Sequence, residues 1–203
     1  ICGLVPAESG SVIIGGTDAT NLTVRKRNEL GLGHIPEDRI KRGLIASLRI
    51  AENMVVKSYY RKPFSGNGIL NFPEINSYSE EIVRKFDVRS GEGINSPAGK
   101  LSGGNQQKMI VGREISMNPE LLIAVQPTRG LDVGAIEYIH SQIVAHRDKG
   151  NAVLLVSLEL DEIFNLSDRI AVISGGELMN IVDTASTDEH SVGLMMAGVR
   201  DKK

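Results

Sequence analysis

The sequence has few of the features that mark secreted, membrane-spanning or metal-binding proteins. Its only cysteine, Cys2, cannot form an internal disulfide, which fits a reducing compartment. No apolar run approaches the roughly 20 residues that cross a bilayer, which predicts a soluble chain. The four histidines lack the spacing of metal ligands: His34, His140, His146 and His190. These absences favour a domain that works without a disulfide or a metal centre of its own.

The chain also lacks a large excess of positive or negative charge. The formal net charge of −2 gives no reason to expect a nucleic-acid or anionic-membrane surface. The chain has 203 residues, of which 41% are apolar, so it can fill one large core or a core with an inserted subdomain. It begins with Ile1 and no charged segment precedes an apolar run. This predicts a fragment of a longer protein rather than a secreted precursor.

The C-terminal half alternates between strand and helix patterns. LLIAV at 121–125 and AVLLV at 152–156 are continuous apolar runs, which predict strands buried on both faces. A helix from about Val133 to Lys149 separates them. Two apolar runs around Gly175-Gly176 predict a hairpin. Strand, helix and strand in this order predict an α/β fold, with a mostly parallel sheet wrapped by helices on both faces.

The segment from Lys57 to about Met117 interrupts this alternation. It is rich in turn residues and shows no strand periodicity, so we interpret residues 57–117 as a mostly helical insertion. Within it, Pro73 suits the first turn of a helix that continues to Phe86. Just before the insertion, Ser47 is expected to cap a helix that runs through Val56.

The stretch LSGGNQQK, residues 101–108, is the first that points to a ligand. Ser102 can cap a helix, and the missing side chains of Gly103 and Gly104 let an anion approach the backbone N–H groups. The helix dipole contributes only ~0.3–1 kcal/mol at such a site, so it assists binding without holding a nucleotide alone. Taken by itself, the stretch is better explained as a serine-capped helix that follows a loop.

A second glycine-rich stretch is a false match to a phosphate-binding loop. GINSPAGK, residues 93–100, has five residues between its glycines where the pattern G-x-x-x-x-G-K-[ST] has four, and Leu101 follows the lysine. No buried strand precedes it, so we expect a solvated loop.

The order of the remaining motifs carries a family resemblance. LSGGNQQK is followed by a buried strand that leads into AVQPTRGLD, residues 124–132, then by a strand ending in VS and by ELDE and SDRIAVI. This series resembles the ATP-binding cassette of ABC transporters over essentially the whole chain. LSGGNQQK resembles the signature motif and Leu131-Asp132 the D-loop, while GHIPEDR, residues 33–39, resembles the loop that carries the Q-loop glutamine.

The resemblance implies a domain organisation and an activity. Residues 1–203 are expected to form one cassette fragment that lacks the Walker A loop, with 57–117 as its helical signature subdomain and 118–203 as the α/β core part. The stretches GHIPEDRIKRGL and QPTRGLDVGAIEYIH are similar in sequence to the second cassette of tandem ATPases in bacterial importers for nucleosides and simple sugars. The stretch YYRKPFSGNGILN is more similar to the nucleoside group.

The family resemblance also implies partners and a location. These are ATP and Mg²⁺, a second cassette N-terminal in the same protein, transmembrane permease subunits and, indirectly, an extracellular solute-binding protein, without nucleic acid. The expected location is the cytoplasmic face of the bacterial plasma membrane, as a peripheral subunit.

Four positions depart from the family pattern. Where the Walker B strand ends in Asp and then the catalytic Glu, this chain has Val125 and Gln126. Valine cannot coordinate a hard cation, and glutamine can bind a water but cannot take its proton at neutral pH. Leu158 stands at the place of the switch histidine, and Glu37 at the place of the Q-loop glutamine. These changes predict a weak or hydrolytically inactive local site.

The elements that a cassette offers to its partner remain intact. The expected nucleotide-binding residues are Ser102, Gly103, Gly104, Gln106 and Asp132. Because family cassettes work as head-to-tail pairs, our hypothesis is that this chain completes an ATP site held mainly by the other cassette. ATP turnover is then a property of the full transporter and not of the fragment.

Two alternatives stay open. A non-catalytic regulatory or scaffolding cassette would keep the fold without contributing to turnover. A DNA-associated ATPase with an LSGG-like helix is ranked behind it, because the chain shows neither a long heptad repeat nor a basic groove.

Overall fold

The computed structural model describes residues 1–199, which form an α/β arrangement. Its strands are β1 (Ile13–Ile14), β2 (Thr17–Asp18), β3 (Leu32–Ile35), β4 (Ser65–Gly66), β5 (Ile69–Leu70), β6 (Leu121–Val125), β7 (Ala152–Val156), β8 (Arg169–Ser174) and β9 (Glu177–Asp183). Its α-helices are α1 (Val24–Glu29), α2 (Ile50–Val55), α3 (Phe72–Lys85), α4 (Gly103–Ser116), α5 (Val133–Arg147), α6 (Leu160–Leu166) and α7 (Glu189–Met196). A π-helical turn, Arg39–Gly43, follows β3.

A parallel sheet in the order β3-β6-β7 is the centre of the first part of the chain. Alternate residues of β6 enter different cores, as expected for a strand covered on both faces. Leu122 and Ala124 join the large cluster formed with α2, α4 and α5, whereas Ile123 packs with Leu32 and Ile14 on the other side. The predicted parallel sheet and the predicted burial of residues 121–125 are confirmed.

The predicted burial of the next strand is wrong. β7 pairs with β6 along one edge only, within the described part of the chain. Its side chains Leu154 and Val156 are 38% and 45% exposed. An apolar run predicts a strand but does not say whether both of its faces and edges are covered, and here they are not.

The predicted start of the helix near residue 50 is also wrong. α2 begins at Ile50 after Arg49, whose backbone N–H donates to Glu52 Oε2 at 2.9 Å. Leu48 N–H already donates to the Ile45 carbonyl, so the chain around Ser47 forms a turn before the helix. Reciprocal pairing by Glu52 therefore takes the place of a serine cap.

Helices dominate the segment that was interpreted as an insertion. α3 begins after Asn71, whose side chain accepts from Glu74 N–H, and Pro73 lies in its first turn as predicted. The turn-rich stretch before it contains the short hairpin β4-β5. The division into a subdomain 57–117 and a core part 118–203 stays a prediction, and residues 200–203 of the latter lie outside the described residues.

The chain divides into two compact units. The first runs from Ile1 to Val156, and the second begins at Ser157. In the second unit, β8 and β9 form an antiparallel hairpin around residues 175–176, as predicted. Ile170 and Val172 of β8 pack against Val192 and Met195 of α7. Across residues 1–199, every helix is too short or too polar to cross a membrane.

Candidate functional site

The open end of α4 is built from a serine and two glycines. Ser102 has extended backbone angles and caps the helix: its Oγ accepts from Asn105 N–H at 3.4 Å and from Asn105 Nδ2 at 2.9 Å. Ser102 is exposed and the two glycines are half-buried. The first backbone N–H groups of a helix have no partner within it, so this end can receive an anion.

The two glycines differ in the space around them. A Cβ on Gly103 would lie 3.0 Å from Arg39 Nη2, so the missing side chain lets the guanidinium group lie against the first turn of α4. A Cβ on Gly104 would make only ordinary contacts, 3.5 Å from Ala135 Cβ and 3.8 Å from Asp132 Oδ2. A side chain at 103 would therefore displace the Arg39 guanidinium group, whereas position 104 tolerates a small side chain.

Asp132 lies beside this end of α4. Its carboxylate accepts from Ala135 N–H at 2.9 Å and caps α5, while its other oxygen faces Gly104. Four of the five expected nucleotide-binding residues are thus brought together, although Asp132 is far from the others in sequence. The fifth, Gln106, is 6% exposed, and its amide donates to the Ala98 carbonyl at 3.5 Å.

The end of β6 carries the two substituted positions. Val125 is the last residue of the strand and offers no oxygen to a metal. Gln126 follows in the left-handed region, at φ 48°, which a side chain larger than Asn or Asp rarely adopts. Its N–H donates to the Val156 carbonyl at 2.8 Å, and its carbonyl accepts from Arg129 N–H at 3.2 Å. Two backbone hydrogen bonds hold this conformation.

Glu37 does not present a free negative charge. Arg129 Nη1 lies 2.5 Å from Glu37 Oε1, with both side chains more than half exposed. An exposed pair of this kind contributes about 0–1 kcal/mol. Next to it, the backbone N–H of Lys41, followed by that of Ile40, donates to Asp38 and lowers the pKa of this carboxyl group below its ordinary value.

Leu158 belongs to the second unit. Its side chain is 72% exposed and lies just before α6. A leucine there has no atom that can donate to or accept from a phosphate.

Two further residues at the site were not found from the sequence. Arg39 Nη1 donates to the Arg129 carbonyl at 3.0 Å, and Gln107 Nε2 donates to the Pro127 carbonyl at 2.7 Å. Both hydrogen bonds join segments that are distant in sequence, so no local pattern signals them. The only local indication was that Gln107 is polar within a helix that must bury a face.

The described residues contain no group of three or more His, Cys, Asp or Glu side chains that could hold a metal ion. Asp132 and Glu37 are the acidic groups of the site, and each already has a protein partner.

Comparison with known proteins gives consistent matches. The family model described as "ABC transporter" matches residues 1–129. The chain is 50% identical to the "Nucleoside import ATP-binding protein NupA" of Lactococcus lactis over 98% of the chain and 39% of that protein. It is 49% identical to the "Guanosine import ATP-binding protein NupO" of Bacillus subtilis over 100% of the chain and 40% of that protein. The chain thus spans about two fifths of the length of these relatives.

The fold also matches solved structures. A dimeric post-hydrolysis state of the ATP-binding cassette MJ0796 bound to ADP and Pi matches with a TM-score of 0.74. The match covers 91% of this chain and 77% of that one at 21% sequence identity. At this identity the comparison establishes the fold, which agrees with the α/β arrangement described above.

Proposed function

This chain belongs to the ABC transporter family, and from that membership we propose that it is an ATP-binding cassette of a bacterial importer for nucleosides or simple sugars. The family match supports ATP binding, and the printed names of both relatives support nucleosides over sugars. ATP hydrolysis coupled to import is the activity of the assembled transporter.

Within that transporter, the chain is proposed to be the C-terminal cassette of a tandem ATPase. The relatives extend over roughly three fifths of their length beyond the matched part, which is room for another cassette. The helical segment 57–117 then carries the signature helix α4, and 118–203 is the core part.

The arrangement around α4 is the observation that carries the proposal. The open end of the helix, with exposed Ser102, lies beside Asp132, and the Arg39 guanidinium group lies against its first turn. Backbone N–H groups and the helix dipole favour a phosphate group at this position. A nucleotide held by the partner cassette would supply that phosphate.

The local hydrolytic site is proposed to be weak or inactive. A water that attacks the terminal phosphate must lose a proton, and Gln126 can orient such a water but cannot accept its proton at neutral pH. Val125 cannot hold Mg²⁺. ATP and Mg²⁺ are therefore bound mainly by the partner cassette, and this chain contributes the closing surface.

The remaining partners follow from the same proposal. An import ATPase works with transmembrane permease subunits and, through them, with an extracellular solute-binding protein. The cassette is placed at the cytoplasmic face of the plasma membrane as a peripheral subunit. No nucleic acid is part of this function.

The test is a charge introduced at Gly104 in the full-length transporter. Gly104→Asp places a carboxylate where the phosphate is expected, so ATP turnover should fall more than about tenfold, which corresponds to about 1.4 kcal/mol of barrier. Gly104→Ala should retain most of the turnover because a Cβ there makes only ordinary contacts. Turnover is measured as phosphate release in membranes or detergent.

Gly193→Asp is the matched control, because Gly193 lies in α7 and a Cβ there meets nothing within 4 Å. It should leave turnover within about twofold of the wild type, which is a much smaller change than the tenfold loss expected for Gly104→Asp. Unchanged turnover and transport in Gly104→Asp would instead support a regulatory or scaffolding cassette. The neutral Val125-Gln126 pair is the observation that keeps this second candidate in view.

A further inference from the structure

Two carbonyl groups of the loop after β6 are bound by side chains from other elements. We name residues 126–131 the β6 loop. Gln107, in the second turn of α4, donates to the Pro127 carbonyl, and Arg39, in the π-helical turn, donates to the Arg129 carbonyl. The β6 loop leads directly to Asp132, the cap of α5. Its backbone is thus attached to α4 on one side and to the π-helical turn on the other.

The contact made by Gln107 is the stronger of the two. Gln107 is 2% exposed and Pro127 is also buried, and the hydrogen bond is short at 2.7 Å. A buried acceptor that loses its donor is left without water to replace it, which is far more costly than losing an exposed contact. The hydrogen bond of Arg39 is partly exposed, so solvent can substitute for it.

The β6 loop needs such support because its first residue is strained. Gln126 has a positive φ and is neither Gly, Asn nor Asp, and conformations of this kind persist only where the surroundings hold them. The Val156 carbonyl fixes the N–H side of Gln126. Gln107 fixes the carbonyl of the next residue, so the strained residue is held from both directions.

We propose that Gln107 is a positioning residue for ATP turnover, because its buried amide makes the phosphate-facing end of α4, the β6 loop and Asp132 move as one body. The proposal rests on the function proposed above. Gln107 itself does not touch nucleotide, since its amide is buried against Pro127. It acts by keeping Asp132 and Gln126 in register with Ser102 and the two glycines.

The direct test replaces the amide with an apolar side chain of similar length in the full-length transporter. Gln107→Met removes the donor and preserves most of the volume, so packing changes are small. Gln107→Met leaves the buried Pro127 carbonyl without a donor. We therefore expect kcat for ATP turnover to fall about tenfold, while KM for ATP stays within about twofold. Hydrogen exchange should become faster at residues 126–132 and remain unchanged in the last turns of α4.

Two controls separate positioning from general destabilisation. Gln142→Met makes the same chemical change at a half-buried position of α5 and should leave kcat, KM and hydrogen exchange unchanged. Arg39→Gln removes the other contact to the β6 loop, whose hydrogen bond is exposed. Because solvent can substitute for this donor, Arg39→Gln should lower kcat less than Gln107→Met does.

The outcomes are distinct. Wild-type kcat in Gln107→Met, or exchange that accelerates throughout α4 together with a higher KM, overturns the positioning role. If Gln107→Met does not fold, Gln107→Asn takes its place, because it keeps the amide but withdraws it from the Pro127 carbonyl: a lower kcat with faster exchange at residues 126–132 supports the proposal, and no change in either overturns it. Failure of the Gly104→Asp test alone would remove the proposed function, whereas failure of the Gln107 test leaves that function standing.

Discussion

Among single residues, Glu114 is a fully buried carboxylate with three partners. Its side chain is fully buried in α4 and lies 2.9 Å from Arg113 Nε and 2.7 Å from Lys57 Nζ, and it accepts from His34 N–H at 3.0 Å. Burial would raise the pKa of Glu114, but the charges of Arg113 and Lys57 outweigh it and hold the pKa below its ordinary value of 4.5. The ion pair with Lys57 connects α4 with the chain after α2, and the hydrogen bond from His34 connects α4 with β3.

This depressed pKa predicts acid sensitivity. Because folded Glu114 binds a proton more weakly than unfolded Glu114, its contribution to stability is complete above about pH 4.3, the unfolded value, and is lost as the pH falls toward the folded pKa. Glu114→Gln should lower the free energy of unfolding by about 3 kcal/mol at neutral pH, since it leaves buried cations unpaired. The variant's free energy of unfolding should also fall less steeply than that of the wild type below about pH 4.3. Denaturant unfolding of the full-length protein measures both effects.

Glu80→Gln is the control for this experiment. Glu80 lies exposed on α3, so the variant should keep both the stability and the acid dependence of the wild type. An acid dependence in Glu114→Gln as steep as in the wild type would contradict the assignment.

Residues differ in how far the sequence predicts them. The cap at Ser102 follows from local backbone rules and was anticipated, whereas the approach of Arg39 to Gly103 was not. Glu114, Arg39 and Gln107 could not be anticipated, because a polar residue within a helix normally faces water. Their partners come from segments that only the folded chain brings near.

At the scale of elements, the packing of α3 against α4 depends on one glycine. Gly112 lies in the middle of α4, and a Cβ there would come within 2.9 Å of the Phe86 ring and 3.1 Å of Ile82 Cγ2. Both neighbours are buried in the main core and cannot move aside. The missing side chain therefore sets the distance between the two helices.

Gly112→Ala should destabilise the protein although alanine is the better helix former. The gain in helix propensity is at most about 1 kcal/mol, whereas overpacking a core costs about 1–3 kcal/mol. The control is Gly193→Ala in α7, where a Cβ meets nothing within 4 Å, and there the propensity gain should dominate. Opposite changes in Tm of the two variants would confirm this, and a higher Tm for Gly112→Ala would show that the core has unused space.

Elements were predicted better than their surroundings. Apolar runs gave the positions of β6 and β7, and Pro73 gave the start of α3, because these depend on local sequence. The start of α2 and the exposure of β7 were predicted wrongly. The first depends on Glu52 reaching back to Arg49, and the second on which strands are available to pair.

On the scale of the whole molecule, the chain belongs to the ABC transporter family and spans about two fifths of relatives that are named as import ATP-binding proteins. In the proposed function, α4 and Asp132 face a partner cassette and have the residues that this role needs. The positions proposed for local hydrolysis, Val125 and Gln126, do not.

The purified chain of residues 1–203 should therefore release no measurable phosphate from ATP, with or without Mg²⁺. The reason is chemical: Gln126 cannot take a proton from water, and Val125 cannot hold the cation. Phosphate release by the chain is compared with that of the full-length transporter under the same conditions. Robust, metal-dependent hydrolysis by the chain would overturn the assignment of a degenerate site.

The half-paired strand β7 has a consequence for handling the protein. Its outer edge presents unpaired backbone groups next to Leu154 and Val156, within the described part of the chain. Such an edge is a template on which other strands can add, and this is a common start of aggregation. The edge carries no lysine or proline in AVLLV to discourage this addition. Colloidal behaviour, more than folding, then limits the concentration at which this chain can be studied alone.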